Sequence, residues 1–253
     1  MRIKATLLAC LIISGALVAQ DASDTSDASD TSNTSEKKSS DLPLGTWQYG
    51  VYMGKNRIGS AFITIRFEKG IYESTFEMTL RMGDPIVTTK ETTKETADFT
   101  PVSFSSSNVV VLKDRVTRDL VTAAFSRNTV KLKRSGEERE IAVEGDFHVS
   151  GNFLTAQLLR AKYASGFEAK GLVYDPTIEE EKAVPVAEKV IGKEIVILPS
   201  GKRELIHTVQ TIGPVRNIHN YSDGSGVSYK TTIAMLNTVI DLVLERKPET
   251  GSR

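Results

Sequence analysis

The feature that most constrains this chain is a period of two. In Ser60–Glu68, Ala61, Ile63, Ile65 and Phe67 fall on one side, while Ser60, Thr64, Arg66 and Glu68 fall on the other; Phe62 is the exception. The next segment sets Tyr72, Phe76, Met78, Leu80 and Met82 against Glu73, Thr75, Glu77, Thr79 and Arg81. Successive side chains of an extended chain point to opposite sides, so this alternation predicts half-buried antiparallel strands. Turn signals punctuate them: Gly54-Lys55-Asn56, Lys69-Gly70, Gly83-Asp84-Pro85, Arg127-Asn128, Ser135-Gly136 and Ser222 to Gly226. Connections this short join antiparallel neighbours, whereas parallel strands need long crossovers. The pattern predicts roughly ten to twelve strands. The expected fold is mainly all-β: a curled antiparallel meander sheet, or half-barrel, with one packed α-helix.

Two segments depart from the period. Asn152–Tyr163 places Leu154, Leu158 and Ala161 at helical spacing, with Ser150 or Asn152 as N-cap and Gly166 as a stop. That helix is expected to pack across an open end or face of the sheet. In Ile86–Asp98, Thr-Thr-Lys-Glu occurs twice in succession, so neither side is apolar. Its threonines favour a strand. An edge strand guarded by charge is the preferred reading, and a strand lining a wet groove is the alternative.

The N-terminal region reads as an export signal. Met1-Arg2-Ile3-Lys4 is a short basic start, Ala5 to Val18 is mostly apolar, and Leu17-Val18-Ala19 suits cleavage before Gln20. The expected organisation is a signal peptide over 1–19, a disordered Asp/Ser/Thr-rich tether over 20–41, a β-rich domain over 42–246 and a flexible tail over 247–253. The tether repeats Asp-Ala-Ser-Asp-Thr-Ser and has too little apolar surface to offset chain entropy. Cys10, the one cysteine, follows Leu7-Leu8-Ala9 as in a lipobox, which makes it a candidate lipidation site. The apolar run continues past it, so a cysteine discarded with the signal is the preferred reading. Either reading leaves no mature disulfide. The expected location is the periplasm or another exported compartment, with an outer-membrane lipoprotein as the alternative and membrane contact only if the chain is lipidated.

Charge narrows the partners. The chain carries 32 basic and 32 acidic residues. Loss of Arg2 and Lys4 with the signal leaves 30 against 32, without the excess that neutralises phosphates, so nucleic acid is not an expected partner.

Short motifs then suggest a family. Leu42-Pro43-Leu44-Gly45-Thr46-Trp47-Gln48-Tyr49-Gly50-Val51-Tyr52-Met53-Gly54, followed by Arg57-Ile58-Gly59-Ser60-Ala61, resembles the opening of exported bacterial proteins of the domain of unknown function 3108 type. Similar β-domains precede the catalytic part of some transglutaminase-like proteins. Phe99-Thr100-Pro101-Val102, Val173-Tyr174-Asp175-Pro176, Gly192-Lys193-Glu194 and Tyr221 to Gly226 follow in the family's order. The resemblance implies a curled antiparallel sheet related to the half-barrels of periplasmic lipoprotein carriers, and no established activity. It departs from the family where His219-Asn220-Tyr221 stands in place of a tryptophan before the aspartate-glycine turn.

Candidate catalytic groups do not assemble into a recognised pattern. His207, His219 and Asp223 form the best metal or acid–base set, at a spacing that matches no metal motif. Asp146, His148 and Ser150 alternate along one extended segment, which does not give a triad's geometry. Glu179-Glu180-Glu181 with Asp175 lacks the ligand spacing of a calcium loop. No cofactor, metal or catalytic residue is expected. The aromatic and methionine residues read mainly as core, with an apolar groove as the functional alternative. Its lining would be Trp47, Phe62, Phe76, Met78, Met82 and Phe104. The expected function is a non-enzymatic envelope module that binds an apolar or lipid-like ligand in the curled sheet. The alternative is a protein-interaction or structural module of the periplasm acting through its sheet surface or edge.

Overall fold

In a computed structural model the chain is described over residues 42–213, 216–235 and 238–247. The expected signal segment with Cys10, the expected tether, and the expected tail beyond Lys247 lie outside the described residues. Eight strands lead up to the helix: β1 (Gly45–Met53), β2 (Asn56–Glu68), β3 (Ile71–Arg81), β4 (Ile86–Thr96), β5 (Pro101–Leu112), β6 (Arg115–Ser126), β7 (Thr129–Arg134) and β8 (Glu137–Ala142). Helix α1 (Asn152–Arg160) divides these from β9 (Glu168–Val173), β10 (Val184–Leu198), β11 (Gly201–Ile212), β12 (Arg216–Ser222), β13 (Ser228–Met235) and β14 (Thr238–Arg246).

All fourteen strands form one antiparallel sheet, in the order β8-β7-β6-β5-β4-β3-β2-β1-β14-β13-β12-β11-β10-β9. The meander is thus two up-and-down runs, joined where the first strand pairs with the last. The sheet curls and does not close. Its two free edges are β8 and β9, the strands that flank the helix. Tight turns act where the sequence marks them: Lys69 and Gly70 both adopt positive φ, as do Ser135 and Gly136, the geometry that suits two-residue hairpins.

The β4 segment corrects the edge reading. β4 lies between β3 and β5, in register along nearly its whole length. Its repeat still obeys a period of two. Thr89, Glu91, Thr93 and Glu95 point into the interior and are buried, while Lys90 and Lys94 point outward. There Lys90 reaches Glu77, and Lys94 reaches Glu73, both on neighbouring β3. The lysines that suggested an edge are cross-strand partners on a wet outer face.

Helix α1 is shorter than its periodicity suggests. It ends at Arg160, because Lys162 and Tyr163 take left-handed φ values of 49° and 50°, before Gly166 is reached. Gly151 holds the N-cap position rather than Ser150 or Asn152. Ser150 does accept the Asn152 N–H at 3.1 Å. The helix packs inside the curl. Asn152 donates to Ser74 on β3 at 2.9 Å, and Phe153 covers Gly171 on β9. The first contact ties the helix to one run of strands and the second to the other.

Across the free edges, side chains replace a ladder. Arg134 on β7 and Arg139 on β8 both pair with Glu180 of the β9–β10 connection, and Arg134 also holds Asp119 at 2.7 Å. Beside them, His148 forms a single parallel bridge to Val173, and Phe125, Phe147 and Tyr174 stack edge-on and tilted.

A Cβ at Gly171 would stand 2.5 Å and 2.8 Å from Phe153 ring atoms. Gly171→Val is therefore expected to lift the helix from β9 and destabilise the domain by about 1–3 kcal/mol. Urea unfolding would measure this; an unchanged midpoint would show that the helix is not held there.

Candidate functional site

The interior of the curled sheet is the best-built site in the molecule. Register sets its side chains in rows that run across the strands. One row is Trp47, Ile63, Phe76, Glu91, Ser106 and Val121, contributed in order by β1 to β6. The next contains Ile65, Ser74, Thr93, Phe104, Ala123 and Leu132. In the first row the rings of Trp47 and Phe76 give way to a carboxyl on β4 and a hydroxyl on β5, while in the second Phe104 keeps a ring on β5. The C-terminal run has its own polar set: Glu188, Thr208, Gln210, Asn220 and Thr231, all buried.

Two buried glutamates anchor these sets differently. The Glu95 carboxylate accepts from Ser150 Oγ at 2.7 Å, Asn152 Nδ2 at 3.0 Å and the Val149 N–H at 3.4 Å, just ahead of the helix. Burial raises its pKa, and these hydrogen bonds oppose the rise. Glu188 Oε1 accepts from Thr208 Oγ1 at 2.5 Å and from Asn220 Nδ2 at 3.2 Å, and Asn220 in turn accepts from Thr231 Oγ1 at 2.9 Å. Its Oε2 has no partner. Burial pushes the Glu188 carboxyl up to about 7.

Trp47 Nε1, Thr93 Oγ1 and Ser106 Oγ are likewise buried without a hydrogen-bond partner. An unsatisfied buried polar atom costs about 1–3 kcal/mol. Among the described residues no lysine or arginine is buried to balance the interior carboxylates.

The residues expected to line a groove divide into two groups. Trp47, Phe76, Met78 and Phe104 share the interior and are fully enclosed. Phe62 and Met82 do not join them, and each is 38% exposed. Phe62 lies between inward-facing Ala61 and Ile63, so the strand's alternation turns it outward. Met82 stands one residue beyond β3, in the turn to β4. The four enclosed side chains lie inside the curl and are not exposed to solvent.

The candidate catalytic groups are occupied with structural contacts. His148 bonds to the Phe99 carbonyl at 2.9 Å through Nδ1 and stacks on Phe153, while Ser150 donates to Glu95. Asp146, His148 and Ser150 therefore form no relay. Asp175 accepts from the Thr177 N–H and hydroxyl, and Asp223 accepts from the Ser225 and Val227 N–H groups. Asp223 stays in its turn, whereas His207 and His219 meet on the outer face, with His207 Nε2 2.9 Å from His219 Nδ1.

The interior polar set was the part missed from sequence. Its signal was present in β4, where threonine and glutamate recur at one parity and lysine at the other. Glu188 carried no such signal, since a single glutamate in a long strand reads as solvent-facing.

No family model matches the chain, and no curated protein matches it. Among solved structures, the fold is similar to that of a β-barrel-like protein of domain of unknown function DUF1849 from Brucella abortus. The TM-score is 0.58 at 12% identity, over 80% of this chain and 96% of that one. A DUF1089 family protein from Pseudomonas aeruginosa matches at TM-score 0.33 and 13% identity, over 80% of this chain and 95% of that one. LprF from Mycobacterium bovis matches at TM-score 0.22 and 12% identity, over 83% and 88%. The first likeness shows a shared fold. The resemblance read from short motifs thus resolves at the level of a β-barrel-like fold.

The Glu188 carboxyl supplies a pH test. Its folded pKa of about 7 lies above the ordinary 4.5, so between those values the native state holds a proton that the unfolded chain releases. The resulting stability is complete below pH 4.5 and is lost as pH rises through 7. Glu188→Gln is expected to remove about 2–3 kcal/mol of pH dependence between pH 5 and 8. It should also leave the variant more stable than the parent at pH 8. Denaturant curves at the two pH values would reveal it; parallel pH profiles for both proteins would refute the assignment.

Proposed function

We propose that this chain is an exported, non-enzymatic binding module of the cell envelope, and that its ligand is apolar or lipid-like with a polar head. The observation that carries this reading is the makeup of the interior. Enclosed rings at Trp47, Phe76 and Phe104 lie in the same rows as polar atoms that lack partners, Thr93 Oγ1 and Ser106 Oγ among them. A chain against the rings and hydrogen-bonding groups against the hydroxyls and Glu188 would satisfy both.

Access would come through the seam between β8 and β9. There the sheet is held by the Glu180 ion pairs and one bridge, not by a ladder. Partly exposed ion pairs contribute little, about 0–1 kcal/mol each, so the seam is the least costly place for the sheet to part. Export rests on the N-terminal signal pattern, and the non-enzymatic reading on the structural engagement of the candidate catalytic groups. The partners proposed are small amphiphiles, or envelope proteins in the second reading; nucleic acid is not among them.

The second reading, a protein-interaction module, has its own observation. β11 pairs with β12 only from Ile206 onward, so the far half of the β10–β11 hairpin runs beyond its neighbour. On that half Val196, Leu198 and Leu205 are buried, while Ile195 and Ile197 on the other side are 73% and 76% exposed.

Native mass spectrometry of protein purified from its own envelope is expected to show a bound small molecule that organic extraction removes. Glu180→Gln should speed exchange of a fluorescent phospholipid several-fold without changing the far-ultraviolet spectrum. A bare chain mass, with no uptake of the probe by either protein, would end the ligand reading. A discrete crosslink from position 197 to an envelope protein would then favour the second.

A further inference from the structure

The outer surface of β10–β12 carries a histidine pair that the interior does not use. The β11–β12 register sets His207 opposite Tyr221 and Val209 opposite His219, which makes the two histidines diagonal neighbours on one face. Their ring centroids lie 5.2 Å apart at an interplanar angle of 24°, and His207 Nε2 is 2.9 Å from His219 Nδ1. The other nitrogen of His207, Nδ1, lies 2.7 Å from Glu194 Oε1, and the Tyr221 ring stacks on His207 at 4.7 Å.

Proton bookkeeping fixes what these nitrogens offer. An ionised carboxylate only accepts, so His207 Nδ1 carries the hydrogen and, in a neutral ring, Nε2 presents a lone pair. His219 Nδ1 fills the gap with its own N–H. Moving that hydrogen to His219 Nε2, the other neutral tautomer, leaves two lone pairs on either side of one gap.

The spacing suits a metal ion. With imidazole–metal bonds of about 2.0–2.1 Å, two nitrogens in adjacent positions of a square or octahedral centre stand roughly 2.9 Å apart, and in a tetrahedral one roughly 3.3 Å. The pair already has the shorter separation, and because the two nitrogens face each other in line, both rings turn by roughly 45° to aim at one ion. A carboxylate on the far nitrogen is the usual support of a metal-bound histidine, since it fixes the tautomer and raises the basicity of the ring.

The surrounding charge favours a cation. Burial, and after it the charges of Glu194 and Asp241, raise the pKa of Tyr221. Lys230, opposite Tyr221 on β13, is held on Asp241 at 3.1 Å.

We propose that His207 and His219 bind a divalent transition-metal ion of the imidazole-preferring group, copper, nickel or zinc, with Glu194 orienting His207. Among the described residues no group of three or more potential ligands is placed to hold a metal. The remaining positions therefore fall to water, and the site is open and exchangeable rather than structural. Copper(II) binds tightest, in keeping with the order of divalent affinities.

The test uses the untagged full chain, stripped with chelator and titrated with copper(II), nickel(II) and zinc(II) by calorimetry. Electron paramagnetic resonance of the copper form provides a second readout. The expected result is one tightly held copper with two histidine nitrogens, and copper bound more tightly than nickel or zinc. His219→Ala and His207→Ala should each weaken binding at least tenfold. Glu194→Gln should weaken it about tenfold to a hundredfold, and His148→Ala should leave it unchanged. His219 and Glu194 are partly exposed, so their variants keep the fold, which circular dichroism would verify. Equal copper affinity in the parent and in the double His207→Ala/His219→Ala variant would overturn the site, as would a spectrum without two histidine nitrogens.

Discussion

Strand β1 is hydrogen-bonded on both sides, to β2 and to β14, and the rest of the molecule follows from the second partner. The pairing runs from Gln48 opposite Arg246 to Met53 opposite Ile240, with one register shift. It joins two local meanders into one sheet and so decides that their inner faces enclose a common interior. Its contacts are also the most distant in sequence. Tyr49 OH donates to the Ser228 carbonyl, and Arg57 forms a two-point pair with Glu245 across 188 residues. Each meander can form from neighbouring hairpins, but joining them closes a loop of nearly the whole domain. That step carries an entropic cost that grows slowly with length and makes such topologies slow to fold. Burial of Tyr49, Val51 and Leu242 along the join is what offsets it.

Once both runs face each other, the helix has a defined place. It belongs to the connection between the two free edges, and it reaches back to both runs through Asn152 and Phe153. Glu95 explains why the connection enters the interior at that point. A buried carboxylate needs donors, and the segment just before the helix supplies a backbone N–H, a hydroxyl and a side-chain amide together. Strand β4 and the helix start are therefore one unit, although they lie 55 residues apart in sequence.

Much of this was legible in the residues, and the reasons for the failures are specific. Alternation revealed the meander because one side of each strand is wet and the other is not. It failed at Ile86–Asp98 because the side chains of both parities are polar. Polarity alone does not distinguish a solvated edge from a polar interior; only the neighbours on both sides do. Phe62 shows the converse: its chemistry suggested an interior side chain, but its parity placed it outside, and parity prevailed. The short motifs that suggested a family proved structural. Phe99 stacks on Tyr72 and offers its carbonyl to His148, Tyr174 donates to the Glu180 carbonyl, and Asp223 closes its turn. The seam could not be read at all, because Arg134, Arg139 and Glu180 come from separate segments that only the curl brings together.

Glu95 and Glu188, two of the three buried interior glutamates, show how a fully engaged carboxyl differs from a partly engaged one in the same environment. Burial raises the pKa of both. At Glu95 both oxygens have donors, drawn from the segment that the carboxylate positions, so its role is spent within the fold. At Glu188 both donors, Thr208 and Asn220, converge on one oxygen and leave the other unmet in the interior. A protonated Glu188 has an O–H to give, and an ionised one has a lone pair to offer. Either form gains from a group that enters the interior, whereas Glu95 gains nothing further. The Glu188 carboxyl therefore keeps one interior oxygen unmet, where Glu95 beside the helix has committed both of its own.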